Sequence, residues 1–211
     1  ATPTASCEVV AAQALQSCIG AVNAAQRACY RDGDSACDDR DASVLDAHAA
    51  LESAVQDSCA NGAFMGMSTD ATVGRLRNAC QSQADSIAWR TFGGPQGAVW
   101  PQATSEQRDC LQTAHETVAH FFDEAFAAAN TCIADDACDA AAVSNAQQAA
   151  ASAAADTIAQ ACPALAELIA VDPATYVERA ADPAAPVVRA APVVRAAPGG
   201  GTAPAPGADA A

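Results

Sequence analysis

Apolar positions along most of the chain recur at steps of three and four residues, the period of an α-helix. The first stripe is Cys7, Ala11, Ala14, Cys18, Ala21, Ala25 and Cys29. Arg31-Asp32-Gly33-Asp34-Ser35 interrupts it. Asp38, Asp39 or Asp41 can then cap a second helix, which carries Val44, His48, Leu51 and Val55 on one face and closes at Cys59. A third helix is expected with Val73, Leu76, Cys80, Ala84 and Ile87 as its stripe, starting near Thr69 or Asp70 and stopped by Gly93-Gly94. A capping box at Thr104 to Gln107 introduces a fourth, with Leu111, Ala114, Val118, Phe121, Ala125 and Ala129 along its apolar side. The return segment from Asp139 to Cys162 is rich in Ala, Gln and Ser. It favours helix but has little to bury beyond Val143 and Ile158.

The cysteines turn this helical pattern into an architecture. Cys7, Cys29, Cys37 and Cys59 recur as Cys110, Cys132, Cys138 and Cys162, with outer intervals close to 22 residues and a short Asp-rich loop between them. That spacing predicts two tandemly duplicated antiparallel hairpins, each clamped at both ends by Cys7–Cys59 and Cys29–Cys37, then by Cys110–Cys162 and Cys132–Cys138. Cys18 and Cys80 have no counterparts in the second set. They are expected to pair with each other and tie a bridging third helix to the first hairpin. The second hairpin is followed by Asp172-Pro173-Ala174-Thr175-Tyr176-Val177, which resembles Thr69-Asp70-Ala71-Thr72-Val73 and marks a vestigial third helix there too. The expected fold class is all-α, with units at residues 1–103 and 104–181 and an Ala/Pro-rich tail at 182–211.

Composition sharpens the compartment. The apolar fraction of 51% is mostly alanine, and aromatics make up only 4%, so the core should be thin and in need of staples. Ten cysteines without CxxC or Cys/His metal spacing read as a disulfide framework made in an oxidising compartment. Ala1-Thr2-Pro3-Thr4-Ala5-Ser6 has the look of a mature start after signal-peptide removal, so the expected location is secreted or periplasmic. No stretch has the roughly 18 uncharged apolar residues of a membrane span. With a net charge of −15 and Arg as the only basic residue besides histidine, nucleic acid is excluded as a partner.

Candidate chemistry is sparse. His115 and His120 are five apart in His115-Glu116-Thr117-Val118-Ala119-His120, and so point to different sides of a helix rather than forming a zinc-protease pair. Glu116, His120 and Glu124 do align at i, i+4 steps, most simply as a solvated stripe. Asp32, Asp34, Asp38, Asp39, Asp135, Asp136 and Asp139 could hold calcium weakly, although helix capping accounts for them. His48 falls on an apolar stripe, where a structural histidine is the default. A nucleophile elbow and a phosphate-binding glycine loop are both absent, so no enzyme, catalytic residue, metal or cofactor is expected.

Partner binding has the better candidates. Trp89, Phe92, Val99 and Trp100 flank Gly93-Gly94-Pro95-Gln96-Gly97, either as a plug over the hairpins or as an exposed anchor, with Met65 and Met67 able to extend such a surface. In the tail, Ala185-Pro186-Val187-Val188-Arg189-Ala190 returns as Ala191-Pro192-Val193-Val194-Arg195-Ala196. This composition cannot form a core and should be extended, acting as a spacer or a docking strand. The expected function is a secreted, non-catalytic structural or accessory subunit that meets a protein partner through the Trp segment, the tail, or both. One alternative is a carrier of a small apolar ligand in a cavity lined by Phe64, Met67, Phe121, Phe122 and Phe126. A second is weak calcium binding by the acidic loops.

Overall fold

The structure, a computed structural model, describes residues 3–33, 41–93, 99–134 and 138–180, the side chains of residues 3–6, 133 and 134 excepted. Its elements are α1 (Pro3–Arg31), α2 (Ala42–Ser58), α3 (Thr69–Phe92), a 3-10 turn (Trp100–Gln102), α4 (Ser105–Ala134), α5 (Ala140–Ala161), α6 (Leu165–Ile169) and α7 (173–180). The protein is mostly helical and carries several disulfides. Among the described residues no helix is long and apolar enough to cross a membrane.

The predicted stops and starts are made by the expected residues. Asp41 caps α2 by accepting from the Ser43 amide at 2.8 Å, and Asp139 caps α5 by accepting from the Ala141 amide at 2.9 Å. The capping box before α4 is closed in both directions: the Thr104 amide donates to Gln107 Oε1 at 2.8 Å, and the Gln107 amide to Thr104 Oγ1 at 3.3 Å. Ser68, rather than Thr69 or Asp70, caps α3, accepting from the Ala71 amide at 3.2 Å. The helix ends at Gly93, whose φ of 90° is the left-handed conformation that favours glycine.

Helix α1 is the hub, packing on α2, α3 and α4, while α4 packs on α5 and α6. Four bridges fix α1 to α2, α1 to α3 and α4 to α5: Cys7–Cys59, Cys18–Cys80, and Cys110–Cys162 with Cys132–Cys138. Cys29 is also disulfide-bonded, and its expected partner Cys37 lies outside the described residues. Cys7 sits in the first turns of α1 and Cys59 caps the end of α2, so these two helices run antiparallel. The same argument applies to α4 and α5 through Cys110 and Cys162. Cys18 meets Cys80, and twelve residues further along each helix Tyr30 meets Phe92, so α1 and α3 run in the same direction.

Buried residues follow the predicted stripes on α2, α3 and α4 but not throughout α1. Past Cys18 the buried face of α1 is Ile19, Val22, Asn23, Gln26 and Tyr30, while Ala21 is exposed and Ala25 and Cys29 are half-buried. The stripe drawn through the alanines therefore follows the wrong side of the second half of this helix. Three helices cover α1 at once, so its buried surface is broad, and the larger side chains take it. The return helix α5 buries only Ala154 and Ile158, with Val143 half-buried, matching its sparse pattern. Helix α7 docks on the end of α3, where the Tyr176 hydroxyl pairs with the Thr91 hydroxyl and the Arg90 guanidinium donates to the Arg179 carbonyl. One contiguous core runs through all of these contacts.

Candidate functional site

The Trp segment divides between core and surface. Phe92 and Trp100 are buried, whereas Trp89 is 52% exposed. Phe92 stacks on Tyr30 with ring centroids 4.4 Å apart and on His115 at 5.0 Å, and Trp100 meets Phe92 edge-on at 5.3 Å. Arg108 holds the plug from outside: its guanidinium lies 5.2 Å from the Trp100 ring centroid, and its Nε donates to the Trp100 carbonyl at 3.1 Å. Residues 94–98 of the intervening loop lie outside the described residues. Phe92 and Trp100 thus knit the ends of α1, α3 and α4 together, and Trp89, three residues before Phe92 on α3, is what this segment offers to solvent. Met65 is 58% exposed and Met67 half-buried, in a turn at the other end of α3. Val187, Val188, Arg189, Val193, Val194 and Arg195 lie outside the described residues.

His115 belongs to the aromatic cluster. It is fully buried, and neither ring nitrogen has a hydrogen-bond partner among the described residues. Burial pushes its pKa down to about 3, assisted by the nearby Arg27 guanidinium. The unfolded chain protonates this imidazole near the usual value of about 6.5, the folded chain only near 3, so folding excludes a proton between those values. Stability from this group is fully present above pH about 6.5 and is lost as pH falls towards 3. At pH 4 the loss is about 3 kcal/mol. The check is urea unfolding of wild type and His115→Phe, which keeps a ring on Phe92. The stability gap in favour of the variant should widen from pH 7 to pH 4; parallel pH profiles would remove His115 as the cause.

The other candidates fall into place around this body. Glu116, His120 and Glu124 line one wall of a groove of about 290 Å³ between α4 and α5, with Phe121 at its base and Ala150, Ala153 and Thr157 opposite. Glu116 pairs with Arg27 at 2.8 Å, and His120 Nδ1 lies 3.7 Å from Glu124. The His120–Glu124 contact follows the i, i+4 spacing, whereas the Arg27–Glu116 pair joins α1 to α4. Of the five residues expected around an apolar ligand, Phe121 lies on this groove, Phe122 and Phe126 pack on each other at 5.0 Å in the core, and Phe64 and Met67 sit in the turn before α3. Asp32 is exposed beside Arg31, Asp41 and Asp139 are helix caps, and Asp34, Asp38, Asp39, Asp135 and Asp136 lie outside the described residues.

One convergence was missed in the sequence. His48 of α2 lies against the Cys18–Cys80 bridge, with one ligand atom from each of the three residues within 4.8 Å of the others and all three residues buried. The signal was present: counting eleven residues inward from each end of Cys7–Cys59 lands on Cys18 and His48. Comparison of the chain with protein-family models, curated proteins and solved structures returns no match.

Proposed function

We propose that this chain is a secreted, non-catalytic structural or accessory subunit that engages a protein partner through the Trp segment, the C-terminal tail, or both. The observation that carries this reading is the exposed Trp89 on α3, whose chain neighbour Arg90 donates to the carbonyl of Arg179 in α7. The Val-Val-Arg repeat, with Val187, Val188, Arg189, Val193, Val194 and Arg195, is the second element proposed for the contact. The buried aromatic plug beneath Trp89 supplies the rigid support that such an anchor needs.

The body is best read as a duplicated, double-clamped hairpin, in units at residues 1–103 and 104–181. Cys7–Cys59 and Cys110–Cys162 have the same separation of 52 residues, and α7 stands where a third helix of the second unit would begin. Several disulfides suit an oxidising, extracellular or periplasmic location. The non-catalytic reading is supported by the placement of the histidines, two of them buried and His120 beside a carboxylate on the surface.

Trp89→Ala is expected to weaken the association about thirtyfold, equivalent to roughly 2 kcal/mol, while leaving the urea midpoint of the free chain in place. The check is recovery of the partner by the tagged full-length chain from its own source. Undiminished recovery by the variant would take Trp89 out of the interface.

A further inference from the structure

Cys18 from α1, His48 from α2 and Cys80 from α3 meet at one point, at 2%, 6% and 0% exposure, with their ligand atoms within 4.8 Å of one another. Their meeting is fixed by register, since the Cys7–Cys59 clamp sets Cys18 opposite His48 and the parallel course of α1 and α3 sets Cys18 opposite Cys80. While the two sulfurs are bonded to each other, neither offers a thiolate to a cation. We infer that reduction of the Cys18–Cys80 bridge converts this point into a zinc site of two thiolates and one imidazole.

The chemistry balances. A dithiol reductant delivers two electrons, the S–S bond breaks, Cys18 and Cys80 become thiols, and the reductant leaves as its own disulfide. Zinc then forms bonds to both sulfurs, to one His48 nitrogen and to one water as the fourth ligand, and the two thiol protons pass to solvent. A tetrahedral zinc with Zn–S near 2.3 Å and Zn–N near 2.0 Å holds its ligand atoms about 3.6 to 3.8 Å apart. That lies inside the 4.8 Å bound of this cluster. Charge selects the metal: two thiolates neutralise a dication, which can then be buried, whereas monovalent copper would leave a net negative charge in an apolar core. The junction would thus be held by a covalent bond between α1 and α3 in oxidising surroundings and by zinc joining α1, α2 and α3 in reducing ones.

The test uses the full chain reduced anaerobically with a phosphine, cobalt(II) as the spectroscopic probe and zinc as the competitor. Wild type should take up one cobalt more than Cys18→Ser/Cys80→Ser, with thiolate-to-cobalt charge transfer and the intense d–d bands of a tetrahedral site, and zinc should abolish them. His48→Ala should bind at least about tenfold more weakly. Where reduction loosens the helices, zinc should restore the far-UV helical signal of wild type at about tenfold lower concentration than that of His48→Ala. Equal cobalt spectra in wild type and the double-serine chain, or equal metal affinity in wild type and His48→Ala, would overturn the inference.

Discussion

Replacing Cys18 and Cys80 together by alanine is expected to destabilise the fold by about 4 kcal/mol, well above the loss expected for Cys132–Cys138. The Cys18–Cys80 separation of 62 residues, like the 52 of Cys7–Cys59 and Cys110–Cys162, closes a far longer loop than the 6 of Cys132–Cys138 and removes correspondingly more freedom from the unfolded chain. The seam it closes also carries a polar contact. Between α1 and α3, Gln26 donates to Asp85 at 2.6 Å, and Gln81 of α3 donates to the same oxygen at 2.8 Å. Such bonds replace bonds to water and contribute about 1 kcal/mol each, so they do not make up for the lost staple. Urea unfolding followed by helical circular dichroism should show the midpoint falling well below that of wild type. A midpoint within experimental error of wild type would mean that the α1–α3 seam holds without its staple.

The second large effect is Phe92→Ala, expected to cost about 4 kcal/mol. The rings of Tyr30, Phe92 and Trp100 provide much of the apolar volume at this end of the core, and Phe92 is the ring that touches both others and His115. Its removal leaves a cavity whose walls cannot collapse, because each belongs to a different helix end or to the Trp100 turn. Trp89→Ala, three residues away on the exposed side, should change stability by less than about 0.5 kcal/mol. Equal midpoints for the two variants would contradict the division of this segment into plug and anchor.

Much of the fold was legible in the sequence because cysteine spacing and caps are local and discrete. Cys18–Cys80 follows from the two cysteines left unmatched between the repeats, and Thr104 and Gln107 close their capping box as written. The second half of α1 was not legible. Alanine gives almost no contrast between a buried and an exposed position, so Ala21 and Ala25 mimicked a stripe while Ile19, Val22 and Tyr30 formed the real one. Tyr30 follows Cys29 at the hairpin end, and nothing local announces that it stacks on a phenylalanine sixty-two residues further along. His115 drew notice only as half of a failed metal motif, since its burial depends on Phe92 from another helix. The candidate site was legible in part: Trp89, Phe92 and Trp100 stood out together, but which of them faces solvent is set by the docking of α3 against α1 and α4.

The central claim, that the body is a stapled support presenting Trp89 and the C-terminal segment to a protein partner, is tested most directly by native mass spectrometry of the protein from its own source, without detergent. Full-length chain should be compared with a chain ending at Ala180. The account predicts a complex heavier than the chain alone, which collapses to the free chain on truncation. A monomer in both cases, carrying a small additional mass, would contradict it and favour the ligand carrier.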